Sequence, residues 1–214
     1  MAIAFDSAVN AQIQNPGTSL TFSHTCSGSD RILYVMAFTR SDVTTGVTYG
    51  GVAMSQVGTT ITEGTDRYSI WQLIAPATGA NNVVITGGAS TSLVIGCSQS
   101  YNGAKQSSQP DNNTQQGPTT TATLTSTLTT VADNCWTALF ARASSDGITS
   151  AGTGTTQRST TAGLVQGYDS NGAITPAGST SLQTTQTSQS TTHFMVSIAP
   201  AVAAATNSNF FQFM

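Results

Sequence analysis

Apolar positions along this chain fall in short runs with the period of a strand rather than that of a helix. In Tyr68-Ser69-Ile70-Trp71-Gln72-Leu73 and in Leu124-Thr125-Ser126-Thr127-Leu128 every second residue suits a buried face, which predicts strands with one side on a core and one in water. Residues 32–38 and 136–140 are apolar on both faces, which predicts strands placed centrally or beneath another subunit. Bounded by clusters of Gly, Pro, Asn and Ser, candidate strands lie near residues 2–5, 18–25, 31–40, 47–57, 68–74, 81–86, 92–100, 119–130, 135–142, 147–151, 163–168 and 193–199. That spacing predicts an all-β fold, an antiparallel β-sandwich or jelly roll of about 10–12 strands. A single domain over residues 1–200 accommodates it.

Laying residues 32–40 on residues 134–142 matches Phe38 and Arg40 to Phe140 and Arg142. The same register sets Gly50 over Gly152, and with gaps residues 93–97 correspond to 194–198. Two similar strand sets follow, near residues 20–105 and 119–199; chance similarity between Thr/Ser/Ala-rich strands is the competing explanation. Residues 102–118, with Pro110 and Pro118, read as a long polar loop between the sets. Residues 153–162 and 184–192 are also polar, with no pattern that assigns a role.

Composition strengthens the strand reading, since about one residue in six is Thr, while Glu63 is the only Glu and Lys105 the only Lys. Lys and Arg total 6 against 9 Asp and Glu, for a net charge of -3. Nucleic acid and polybasic membrane binding both need clustered cations, so neither is expected. The longest apolar runs fall well short of the roughly 20 residues that cross a bilayer. The first residues carry neither a basic n-region nor an apolar h-region, so no secretory signal is expected there. Cys26, Cys97 and Cys135 are odd in number and form no CxxC pair. Buried free thiols are expected, with one disulfide plus one free thiol as the alternative.

Candidate chemistry is sparse. Most Asp residues sit beside Ser, Gly or Asn, where Asx turns explain them better than a glycosidase carboxylate pair does. His24 and His193 lack a GxSxG elbow and read as strand-edge residues; zinc held by His24 and Cys26 is the sharper alternative, without support. No enzyme, catalytic residue, cofactor or metal is therefore expected. Trp71 and Trp136 read as core, whereas Tyr101 and Tyr168, each next to a polar segment, read as exposed rings and glycan-contact candidates. After Pro200 a small-residue spacer leads to Phe210, Phe211, Phe213 and Met214. Such an apolar cluster either folds back on its own sandwich or docks into a partner, and the partner reading is preferred. Residues 200–214 extended at about 3.3 Å each reach about 50 Å, enough to meet a neighbouring subunit.

The segments Arg31-Ile32-Leu33-Tyr34-Val35, Val47-Thr48-Tyr49-Gly50-Gly51-Val52-Ala53-Met54, Trp71-Gln72-Leu73-Ile74-Ala75-Pro76-Ala77-Thr78-Gly79 and Ser100-Tyr101-Asn102-Gly103 resemble a jelly-roll-like β-sandwich module. That module occurs in bacteriophage structural and tail-associated proteins and in some bacterial surface proteins. The resemblance covers residues 20–105 and, less clearly, the second half. Its glycines make turns and its Tyr and Trp fill the core, so it carries over no catalytic residue. It implies a virion structural protein, a capsid decoration or cement protein at the virion surface. The implied partners are capsid proteins or identical subunits, in such modules usually as a homotrimer. The alternative is a glycan- or receptor-binding domain of a phage tail or bacterial surface protein, extracellular or on the cell surface, with a hydrolase a distant third.

Overall fold

The computed structural model describes residues 1–14, 17–144, 150–159 and 165–202. The first half of the chain supplies β1 (Ala4–Gln14), β2 (Ser19–Cys26), β3 (Ile32–Arg40), β4 (Thr44–Tyr49), β5 (Val52–Ala53), β6 (Ser55–Glu63), β7 (Asp66–Ile74), β8 (Gly79–Gly87) and β9 (Leu93–Asn102). The second half supplies β10 (Asn112–Thr129), β11 (Trp136–Ala143), β12 (Ser150–Ala151), β13 (Thr156–Gln157), β14 (Val165–Asp169) and β15 (Ser179–Ile198). No helix occurs among the described residues.

Strands of the first half alternate between a sheet ordered β1-β9-β3-β7-β6 and a sheet ordered β2-β8-β4-β5. Passing back and forth between two antiparallel sheets in this way is jelly-roll connectivity. The second half repeats it with fewer breaks, in the order β10-β15-β11-β14-β13. Here β10 and β15 each do the work of two strands. Their pairing slips between Thr121 and Thr123, opposite Gln189 and Thr185, and beyond that slip the hairpin folds over the inner sheet. Leu128 and Leu182 from the folded part thereby pack on Leu139, Ala141, Tyr168 and Met195, and β12 extends the folded part at Thr184 and Thr185. The chain is thus a four-layer, all-β sandwich made of two jelly rolls.

Residue alternation decides which layer each side chain serves. On β3, Leu33, Val35 and Ala37 point to the outer sheet of their own half, while Ile32, Tyr34, Met36 and Phe38 point to the other half. Phe140, Phe194, Val196 and Ile198 meet them there and close one shared core. Every residue of β3 but the last is buried, as expected for a strand apolar on both faces. Each fully buried Leu, Ile or Phe contributes about 1.5–3 kcal/mol, so this doubly covered layer is the main stabilising element. β3 is entered through Asp30 and left through Ser41, both at positive φ, where short polar residues are tolerated. Mid-strand on β9, Gly96 leaves room for Ile85, whose Cδ1 would lie 2.6 Å from an added Cβ.

Three expectations need correction. Residues 112–118 are not loop but the start of β10, and residues 184–192 lie within β15; both are built of Thr, Gln, Ser and Asn, so no apolar alternation marks them. Phe38 faces Ile95 and Phe140 faces Phe194, so residues 194–198 correspond to 95–99 rather than to 93–97. β1 and β10 each lie at the edge of their sheet, beside β9 and β15.

Candidate functional surface

The ionisable groups expected to sit in turns are in several cases turned inward. Arg142 is buried, and its Nη2 donates to Asp66 Oδ2 at 2.9 Å across the boundary between the halves. Arg40, the matching residue of the first half, donates from Nε to Oδ1 of the same carboxylate at 2.7 Å. The Arg142 guanidinium lies 5.2 Å from the ring centroids of both Phe38 and Tyr68, and Tyr68 donates its hydroxyl to Glu63 at 2.8 Å. At the other end of the boundary Arg158 donates to Asp169 at 2.7 Å and lies over the Phe5 ring. Burial pushes the Asp169 carboxyl up from its ordinary range, and Arg158 opposes that shift. Asp66 and Asp169 are thus each held by a guanidinium, and the Tyr68 hydroxyl lies 2.8 Å from Glu63 Oε2 and 3.4 Å from Asp66 Oδ2.

Each half also holds one buried histidine, His24 between the two sheets of the first and His193 within the folded sheet of the second. His24 Nε2 meets Ser100 Oγ at 2.9 Å and Nδ1 meets Ser98 Oγ at 2.8 Å. Ser100 gives its proton to Asp6 Oδ2 at 2.7 Å, so it accepts from His24 Nε2, and Ser98 donates to the bare Nδ1. His193 sits likewise between Ser126 at 2.9 Å and Thr184 at 2.8 Å. Burial lowers the His24 pKa to about 4, against a smaller upward pull from Asp6, and lowers that of His193 to about 3. Both rings are therefore neutral structural links near pH 7, inside the sandwich rather than at strand edges as expected. The serine lies between histidine and aspartate, the wrong order for nucleophilic catalysis, in which the histidine must bridge the two.

Cys26, Cys97 and Cys135 are free and buried, as expected, and among the described residues no three His, Cys, Asp or Glu side chains gather as a metal site. Tyr101 and Tyr168, expected to be exposed, are both fully buried. Tyr101 bonds to Gln99 at 2.6 Å and donates to Asp169 at 3.3 Å; Tyr168 packs in the second jelly roll. A ring with no accessible face cannot stack on a sugar, which removes both from the glycan-contact set. Trp71 and Trp136 are half-buried against the cores. Phe210, Phe211, Phe213 and Met214 lie outside the described residues.

Charged side chains reach solvent mostly in part, with Asp30, Arg31, Asp42, Arg67 and Lys105 among those half-buried. Among the described residues Asp133 is the one charged side chain in the exposed class. On the outermost layer of the first jelly roll β2 presents Ser19, Thr21, Ser23 and Thr25, all exposed. On the outermost layer of the second, β10 presents Thr123, Thr125, Thr127 and Thr129, all exposed. Leu20-Thr21-Phe22-Ser23-His24-Thr25 on β2 and Leu124-Thr125-Ser126-Thr127-Leu128-Thr129 on β10 share the same alternation, hydroxyl side chains out and, apart from Ser126, larger side chains in. Thr127 bonds to Ser181 at 2.7 Å and Gln183 donates to Thr125 at 2.9 Å, which ties the second row to β15. A separate hollow of about 290 Å³, open to solvent, is lined by Met1, Ile3, Trp136, Ala173 and Pro200 among others.

The fold and surface define a tandem jelly-roll β-sandwich with a hydroxyl row on an outer strand of each half. The chain matches no protein-family model and has no significant sequence match to a characterised protein.

Proposed function

We propose that this chain is a virion structural protein, a capsid decoration or cement protein that joins neighbours through its two hydroxyl-lined outer faces. The observation that carries the reading is the pair of exposed rows, Ser19-Thr21-Ser23-Thr25 and Thr123-Thr125-Thr127-Thr129, on outermost layers of a chain in which only 7% of residues are charged. Like charge keeps proteins apart, and its scarcity favours association. A row of Ser and Thr buries against a neighbour without the desolvation cost of a charge. Two such faces let one chain bridge two partners, capsid proteins or further copies in a homotrimer. Jelly rolls serve in capsid and lectin domains; that step is fold-level analogy. The glycan- or receptor-binding alternative loses its anchors with the burial of Tyr101 and Tyr168.

The test is binding of the purified protein to particles from its source. Thr125→Lys combined with Thr127→Lys should leave the melting profile intact and abolish particle binding. Undiminished occupancy by that variant would remove the hydroxyl face from the account. Deleting residues 209–214 tests the apolar segment separately and is expected to weaken assembly while leaving the sandwich folded.

A further inference from the structure

The edge of a sheet exposes unpaired N–H and C=O groups, which proteins guard with short strands, charges, prolines, bulges or covering chain. Among the described residues all but one of the sheet ends carry such a guard. β5 and β13 are two residues long. β1 carries Asp6 in a break of register between Phe5 and Ser7. β6 breaks between Val57 and Ile61, and Gln115 caps it by donating to the Thr59 carbonyl at 2.6 Å. β10 breaks between Gln116 and Thr119, where Pro118 lies. The exception is β2, which pairs with β8 without a break and contains no Pro, Gly, Lys, Arg, Asp or Glu. β1 contacts β2 from the neighbouring layer without pairing to it.

Two main-chain bonds fix which groups of β2 are free. Gly87 donates its N–H to the Thr18 carbonyl at 2.7 Å, and Gly50 donates to the Asn82 carbonyl at 2.9 Å. Opposed residues of an antiparallel ladder alternate between bonded and unbonded pairs. The main chain of Leu20, Phe22, His24 and Cys26 therefore bonds to β8, while that of Ser19, Thr21, Ser23 and Thr25 points off the edge. These last four residues are all exposed. We propose that β2 is the pairing edge for a second copy of this chain, the two β2 strands lying antiparallel about a twofold axis through Phe22. In that register Ser19 lies opposite Thr25, Thr21 opposite Ser23, and Phe22 opposite its own copy. Hydroxyl meets hydroxyl and ring meets ring, both favourable cross-strand pairs, and no like charges are brought together. The half-buried Phe22 gains cover. An isologous edge closes on itself at two copies and leaves the second jelly roll free for a different neighbour. The pairing goes beyond the particle reading, since it needs two copies in solution and no particle.

Sedimentation equilibrium of the full chain should show a reversible monomer–dimer equilibrium. Ser23→Pro removes an N–H that points off the edge, so it should spare the ladder to β8 and abolish the dimer. Thr21→Lys places a charge on the edge and should raise the dimer dissociation constant roughly tenfold or more; should Ser23→Pro fail to fold, this variant carries the test. Directly opposed residues lie about 5.5 Å apart at Cα, within the span of a disulfide. Mixing Thr21→Cys chains with Ser23→Cys chains should therefore give a cross-linked pair, and each variant alone should link far more slowly. A chain that stays monomeric up to its solubility limit overturns the pairing, and particle binding by that monomer would leave the particle reading intact. A dimer undiminished in both Ser23→Pro and Thr21→Lys also overturns it, as does Thr21→Cys linking alone as fast as the mixture.

Discussion

Arg40 and Arg142, matching residues of the two jelly rolls, grip opposite oxygens of one carboxylate, that of Asp66, at 2.7 and 2.9 Å. Arg40 is partly exposed, with 40% of its side chain accessible, whereas Arg142 keeps only 2%. Asp66→Asn leaves the Arg142 charge buried, with Glu63 4.0 Å away as its remaining anion. Breaking a buried pair from one side costs about 3–5 kcal/mol, and a urea midpoint shift of that size is expected. Arg142→Met removes the buried cation together with its unsatisfied Nε and Nη1, leaves Asp66 paired to Arg40, and should cost clearly less.

Stability should fall as pH drops through the window set by the two histidines. Their folded-state values are lowered to about 4 and about 3, so between pH 6.5 and those values the unfolded chain binds protons that the folded chain refuses. His24 alone accounts for roughly 3 kcal/mol over that span, and nothing is lost on this account above pH 6.5. Urea unfolding measured from pH 8 to pH 4 checks the slope, which His24→Asn combined with His193→Asn should flatten.

Gly167 on β14 faces the buried Gln99 side chain, and an added Cβ would overlap its amide. Gln99 cannot step aside, because its amide is held by Tyr101 and by both backbone groups of Tyr168. Gly167→Ala should therefore destabilise by about 1–3 kcal/mol. Combined with Gln99→Ala it should cost less than the two single changes summed, which a double-mutant cycle measures.

Much of this was legible beforehand, and the misses share a cause. The doubly apolar stretches 32–38 and 136–140 became β3 and β11 at the centre of their sheets, and the two arginines of the Phe-x-Arg match, Arg40 and Arg142, both reach Asp66. The start of β10 and much of β15 were not legible, because Thr, Gln and Ser face both water and a polar interior there. Tyr101 and Tyr168 were misjudged from polar neighbours in sequence. Their hydroxyls are satisfied inside, by Gln99 and Gln166. Convergence of Arg40, Arg142 and Glu63 near Asp66 depends on contacts between strands distant in sequence, which local pattern does not reveal.

The shared core also predicts how the halves behave when the connection is cut. Residues 106–108 are exposed in the loop joining the two jelly rolls, while Phe38, Phe140 and Phe194 lie in one core across the boundary. A protease site inserted there and cleaved in the folded protein should leave both fragments co-eluting on native size exclusion. They should separate only in denaturant.

The central claim is that this chain is a part of a particle surface. Quantitative mass spectrometry of density-purified particles from its source tests that most directly. The account predicts the chain in the particle fraction, at a copy number comparable to that of the major shell protein. Finding it solely in the soluble fraction, with none on particles, would contradict the account.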